Sequence, residues 1–390
     1  GTAGVVAFQN LYGSLPTRNY NEGQFEDFEK IAGDQLTDHL LKDRDTCYAC
    51  VVRCKRVVEA EYLERAVSPQ FGGPEYETIA TMGSYCGVND LKAIALASAL
   101  CNQYGLDTIA AGASVAFAME CYENGLLTRE QTGGLELRFG NAEAMLTLVE
   151  QMAKREGFGA VLADGSARAA QHIGANAADY LITVKNTEAP AHMPQAKRTL
   201  GLIYAVNPFG ADHQSSEHDP MYEEGAADLY LNRLALLGLS EVQPAYSLTD
   251  EKVRYAYQTE LFYSALDTYC LCQFVWGPSW ELYGPAELAE LLRAAAGWDV
   301  SVDEILKVGA RRLMMMRAFN AREGFTRADD VLPAKFAKPL TGSGPTAGNF
   351  VDPVELEHCK DVYYGLAGLD PLSAAPTPQR LSELGLEWTA

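Results

Sequence analysis

From about residue 88 the apolar positions of the chain recur at helical spacing. Leu91, Ile94, Ala95 and Ala99 share one face, Asn89 or Asp90 stands where a cap is needed, and Gly105 follows as a stop. A second helix is expected from about Thr108 to Asn124, with Gly125 closing it. Residues 141–156 predict a third, amphipathic helix before Gly157, and Asp164 to Ile173 a fourth before Gly174. Residues 1–45 read as an irregular entry, with Leu15-Pro16-Thr17-Arg18-Asn19 as an extended turn, followed by a helical stretch. Between roughly 185 and 225 the periodicity fades, and Pro190, Pro194, Pro208 and Pro220 are interleaved with His192, His213 and His218. That texture predicts a long functional loop crossing between domains. Helices resume from about 226 and continue through 250–267, 286–296, 302–321 and 353–366. Alternating strand patterns are scarce. The fold class expected is mainly α, as two helical domains over residues 1–185 and 186–390.

Composition narrows the function classes. The chain has 390 residues and a net charge of −21, enough length for a sizeable core and the wrong sign for nucleic acid or an anionic membrane surface. No apolar run reaches the length of a membrane span. A soluble, cytoplasmic protein is expected. Nine cysteines in a chain of this size are too sparse for a disulfide framework and suit a reducing compartment.

The cysteines are not spread evenly. Cys47, Cys50 and Cys54 fall within eight residues, and Cys270 and Cys272 form a distant pair. Three local thiolates can converge as the backbone wraps, and a fourth from a remote segment would close an iron–sulfur site. Zinc more often takes two close pairs of ligands, and no His follows at zinc spacing. Zinc or plain buried thiols remain as the alternatives. Cys86, Cys101, Cys121 and Cys359 read as small core residues.

Two further segments share a skeleton. Asn102-Gln-Tyr-Gly105-Leu106-Asp107 and Asp267-Thr-Tyr-Cys270-Leu271-Cys272 each place a short polar residue, two spacers, a small residue and Leu before Asp or Cys. Helix junctions expose unpartnered backbone groups, and a carboxylate there can accept hydrogen bonds from a heterocyclic cofactor. Taken singly, each motif reads better as helix caps; the pair, one of them ending in a candidate cluster ligand, points to a cofactor with two similar halves. Glu75 and Glu77 follow a Gly-Gly-Pro turn, where partial burial would suit one of them for proton transfer. His213 is the candidate catalytic histidine, with Asp212 and Glu217 as partners and His218 as the runner-up. His39, His172 and His358 sit on helical faces and read as ordinary residues.

Assembled in order, these segments resemble the tungsten-containing aldehyde ferredoxin oxidoreductase family. The resemblance also covers Pro74-Glu-Tyr-Glu-Thr78, Ala116-Phe-Ala-Met-Glu120, Arg138-Phe-Gly-Asn141, Ala163-Asp-Gly165, Ala318-Phe-Asn-Ala-Arg-Glu-Gly324 and Arg327-Ala-Asp-Asp330. It implies a tungsten ion held by the dithiolenes of two pterins, a 4Fe–4S cluster, and oxidation of aldehydes to carboxylic acids with a ferredoxin-like electron acceptor. By position, Cys47, Cys50, Cys54 and Cys272 are then the cluster ligands. Asn102, Asp107, Asp267 and Leu271 fall on the pterin-binding motifs, with Cys272 between the cluster and one pterin. Glu77 and His213 fall on the acidic residue and the histidine near the metal. The sequence departs from the family pattern at Asn102, where Asp is favoured, and at Cys270, where Gly is favoured. The resemblance further implies an N-terminal domain that supplies phosphate and magnesium contacts. These residues are therefore expected to be the helical part of a longer protein, or a subunit whose mate supplies the rest; assembly as a homo-oligomer is expected too. The alternatives are an electron-transfer subunit carrying only the cluster, or a related tungsten enzyme with a different substrate.

Overall fold

The computed structural model describes residues 1–390 apart from Ala175, Trp280, Glu281 and Ala390. Two units divide the chain: Gly1–Ala196 with Pro333–Phe350, and Lys197–Leu332 with Val351–Ala390. Both are mainly helical, and the strands among the described residues form three small antiparallel hairpins.

In the first unit the helix Leu91–Tyr104 begins where the Asp90 carboxylate accepts the N–H groups of Lys92 and Ala93, and it ends at Gly105 with φ +71°. The next helix, Thr108–Glu123, is capped in the same way by Asp107 and buries an unbroken run from Ala111 to Cys121. Its small side chains allow close approach. A Cβ at Gly112 would lie 2.7 Å from the backbone carbon and the Cβ of Thr81, so this glycine seats the short helix Tyr76–Met82 directly against it. The amphipathic helix Ala142–Lys154 packs Met145, Leu148 and Val149 into the same core. Segment Pro333–Phe350 belongs here through polar contacts, two of them buried. Lys335 pairs with Glu120, the Thr341 N–H donates to the Asn21 carbonyl (2.8 Å), and the Thr346 hydroxyl donates to the Gly13 carbonyl (2.6 Å).

The second unit is built on Asp250–Thr268 and Val302–Arg322. Here too a glycine sets the spacing: a Cβ on Gly309 would lie 1.8 Å from the Leu261 carbonyl oxygen, and the Ser264 hydroxyl donates to the Gly309 carbonyl at 3.0 Å. Buried ion pairs brace the helices. Arg317 meets Asp330 at 2.8 Å, and Lys252 meets Asp219 at 2.8 Å with neither side chain exposed.

The stretch around 185–225, expected as loop, contains the helix Arg198–Val206. Every residue from Thr199 to Val206 is buried, so no polar face marks its period, and an amphipathic pattern cannot reveal a helix enclosed on all sides. The core thiols sit as expected. Cys86, Cys101, Cys121 and Cys359 are buried, and burial pushes the last three up to about 12. No helix of the described residues is long and apolar enough to cross a membrane.

Candidate functional site

The cysteine triplet lies at the tip of the first hairpin, between strands Leu41–Asp45 and Lys55–Val58. These strands are short and polar, which is why no alternation announces them. Within the tip, the Cys50 N–H donates to the Cys47 carbonyl (3.0 Å) and the Thr46 hydroxyl to the Cys50 carbonyl (2.6 Å). Ala49 (φ +54°) and Arg53 (φ +50°) are left-handed, each immediately before a cysteine. An L-residue there costs roughly 1–2 kcal/mol, so the loop is wound tightly at some expense. Cys47 is exposed, Cys50 and Cys54 are half-buried, and none is in a disulfide. Three soft donors on one coiled loop fit an iron–sulfur cluster.

The two junction motifs share a geometry as well as a skeleton. At the first, Gly105 is left-handed, and the Leu106 N–H reaches back to the Cys101 carbonyl at 2.9 Å. At the second, Cys270 is left-handed (φ +57°), and the Leu271 N–H reaches back to the Leu266 carbonyl at 2.9 Å. Both are the same helix ending, followed at once by the cap of the next helix, Asp107 in one case and Cys272 in the other. Asp107 does cap, through Oδ1 to the N–H groups of Ile109 (2.7 Å) and Ala110 (3.3 Å). The Asn102 amide donates back to the Ser98 carbonyl (3.0 Å), and Asp267 pairs with Arg312 (3.1 Å). Asn102, Asp107, Asp267 and Cys272 all face solvent, and Leu271 is half-buried. Exposed polar groups beside helix ends fit a flat heterocycle carrying N–H donors.

Glu77 stands in the first turn of helix Tyr76–Met82. Its Oε2 accepts the Ala191 N–H at 2.7 Å, and its Oε1 lies 3.1 Å from Nε2 of His192. The backbone from Ala189 to His192 is held by three buried phenols. Tyr85 donates to the Ala189 carbonyl (3.0 Å), Tyr20 to the Pro190 carbonyl and Tyr76 to the Ala191 carbonyl (2.6 Å). Burial drives all three phenols well above their ordinary range, so they remain protonated donors. Neither His192 nor these tyrosines stood out from the sequence. The signal was there in part: His192 lies in the proline-flanked run from Pro190 to Pro194, and Tyr76 adjoins Glu77. Glu75, the other candidate, accepts from the Thr2 hydroxyl.

In the second unit His213 is nearly buried, with Nδ1 4.0 Å from Asp212. The Asp212 carboxylate accepts instead from the Ser215 hydroxyl (2.6 Å) and the Gln214 N–H (3.0 Å). Glu217 turns inward, accepting from Tyr263 (2.9 Å), Ser279 (2.7 Å) and the His218 N–H (3.1 Å); burial raises its pKa. His218 donates from Nε2 to the His213 carbonyl at 2.7 Å, and its Nδ1 lies 3.4 Å from the Lys197 ammonium. Burial, with Lys197 adding to it, pushes His218 well below its ordinary value. It braces the His213 loop through its hydrogen bond to the His213 carbonyl.

A family model described as aldehyde ferredoxin oxidoreductase, domains 2 and 3, matches residues 1–386. The chain is 34% identical over 394 residues to a tungsten-containing aldehyde ferredoxin oxidoreductase of Pyrococcus horikoshii, covering 99% of this chain and 60% of that protein. It is 28% identical to an aliphatic sulfonate oxidoreductase, WOR-like subunit, of Pyrococcus furiosus, covering 96% of this chain and 55% of that one. Among solved structures, the active site complex BamBC of benzoyl coenzyme A reductase with 1,5-dienoyl-CoA aligns with a TM-score of 0.75 at 23% identity. That alignment covers 98% of this chain and 58% of the other, a likeness of fold. The chain thus spans about 60% of the length of curated relatives such as the Pyrococcus horikoshii protein. It belongs to the aldehyde ferredoxin oxidoreductase family, corresponding to that family's domains 2 and 3.

Proposed function

We propose that these residues form the helical part of a tungsten–pterin oxidoreductase that oxidises aldehydes to carboxylic acids and delivers the electrons to a ferredoxin. The observation that carries this reading is the cysteine hairpin. Three thiols outside any disulfide, on a loop wound through two left-handed residues, have a purpose as cluster ligands and none as core. Cys272 supplies the fourth ligand. Asn102, Asp107 and Asp267 accept hydrogen bonds from pterin N–H groups, and Leu271 lends its backbone at the second junction. When bound, the tungsten–pterin centre takes two electrons from the substrate and the cluster hands them on singly.

The protein's own share is proton management and orientation. Converting an aldehyde to its acid adds an oxygen from water and releases two protons and two electrons. Glu77 takes a proton from water at its carboxylate, and His213 donates a hydrogen bond to the substrate carbonyl. The hairpin Leu41–Val58 carries five Lys and Arg against two Asp in a chain of net charge −21, which favours an acidic electron carrier there. The sulfonate oxidoreductase among the relatives favours a second reading, with the same machinery on a different substrate class. Metal quantification on full-length protein prepared without oxygen tests both. Iron and tungsten together support either, and an aldehyde assay separates them. Iron without tungsten refutes both and leaves an electron-transfer subunit.

A further inference from the structure

The imidazole of His192 is almost fully withdrawn from solvent, with 7% of its side chain exposed, whereas Glu77 retains 14%. Burying an imidazole in this way is costly unless its ring N–H finds an acceptor. The group its ring meets is a carboxylate: Nε2 is the ring atom that faces Glu77 Oε1, in an ion-pair contact at 3.1 Å. The other oxygen of the same carboxylate takes the Ala191 N–H at 2.7 Å. One oxygen of Glu77 is therefore held by a backbone hydrogen bond from the strap, and the other lies against the imidazole of the next residue of the same strap.

The strap itself is over-determined. Its carbonyls at Ala189, Pro190 and Ala191 each accept a phenol from Tyr85, Tyr20 and Tyr76 respectively, and the three rings are buried. The His192 ring also packs on Tyr76, centroids 5.4 Å apart, and Tyr76 is the residue before Glu77 on its helix. Gly112 holds that helix close against Thr108–Glu123. A histidine that merely filled core would need neither a carboxylate opposite Nε2 nor three phenols to immobilise its backbone. A group that must keep a base aimed within a fraction of an ångström needs both.

We propose that His192 is a positioning residue for Glu77, its imidazole against Oε1 keeping the carboxylate aimed at the proton it removes. This rests on the reading of Glu77 as the general base. The polar contact at Oε1 is the essential element, so a side chain that restores a polar group there should restore the function.

The test uses full-length, metal-loaded protein. Replacing His192→Ala should lower kcat about 10–100-fold, the usual reach of mispositioning one proton-transfer group, with KM and metal content unchanged. Added imidazole should recover part of the loss, and His192→Gln, whose amide can donate, should lose far less than His192→Ala. Equal losses in both variants without imidazole rescue would show a purely structural histidine and overturn the proposal, as would unchanged kcat in His192→Ala. A readout independent of turnover is the ring 15N spectrum of protein labelled at its six histidines. Glu77→Gln should shift the His192 Nε2 resonance, and an unmoved resonance would mean the pair does not exist in solution. If Glu77→Gln instead moves that resonance yet keeps full kcat, the base assignment itself fails, and the positioning role falls with it.

Discussion

Lys252 offers a direct measure of how much the second unit depends on one buried charge pair. Its ammonium lies 2.8 Å from Asp219 Oδ1 and 3.8 Å from Glu223 Oε1, and it donates to the Pro244 carbonyl at 2.9 Å. Asp219 also accepts the N–H and hydroxyl of Thr199 (3.1 and 2.8 Å). The pair thus joins helix Asp250–Thr268 to the turn that follows His218, and Asp219 carries the link on to the start of helix Arg198–Val206. At an effective dielectric constant of roughly 20, charges at that separation attract by about 6 kcal/mol, most of which offsets their desolvation. Lys252→Met keeps the length of the side chain and removes the charge. Asp219 is left buried with Thr199 as its donor and Glu223 as an unfavourable neighbour, so stability should fall by about 3–5 kcal/mol. Equilibrium urea unfolding of Lys252→Met, Asp219→Asn and the double variant forms a cycle. The double variant should be more stable than additivity predicts by more than about 1 kcal/mol. A loss below about 1 kcal/mol in Lys252→Met, or additivity within about 0.5 kcal/mol, would refute the reasoning.

Three other outcomes follow from the geometry. Glu260 is fully buried against the Tyr363 hydroxyl at 2.5 Å, and desolvation raises it to about 7; because the folded state then holds a proton that the unfolded chain has released, stability should decline as pH rises from about 4.5 to about 7, and Glu260→Gln should flatten that slope in urea melts. Cys270→Gly removes a left-handed L-residue at φ +57° and should add about 1 kcal/mol, while Gly105→Ala at φ +71°, in open space, should cost about the same through backbone strain alone; reversed signs in chemical denaturation would break the equivalence of the two junctions. On cluster-free protein, a thiol reagent should label Cys47, Cys50, Cys54, Cys270 and Cys272 rapidly and leave Cys86, Cys101, Cys121 and Cys359 until unfolding; mass mapping that finds a core cysteine modified first would contradict the burial.

The helices of this protein were legible where one face is apolar and the ends are punctuated. Asp90 and Gly105 bracket Leu91–Tyr104, and Gly174 closes Ser166–Ile173, because caps are local chemistry between residues a few positions apart. The cysteine spacing and the paired junction motifs were legible for the same reason, being short runs whose residue types carry their own geometry. Helix Arg198–Val206 was not, since burial on every side erases its period. Nor was the return of Pro333–Phe350 to the first unit, which rests on partners such as Glu120 and Gly13, more than two hundred residues away. His192 shows the limit most clearly. Its sequence neighbours say only that it lies among prolines; what makes it a partner of Glu77 is a contact across 115 residues, held by phenols from Tyr20, Tyr76 and Tyr85. Residue type and local spacing settle which groups a chain can offer to chemistry, but only long-range packing decides which carboxylate meets which imidazole, because burial and distance belong to the folded backbone.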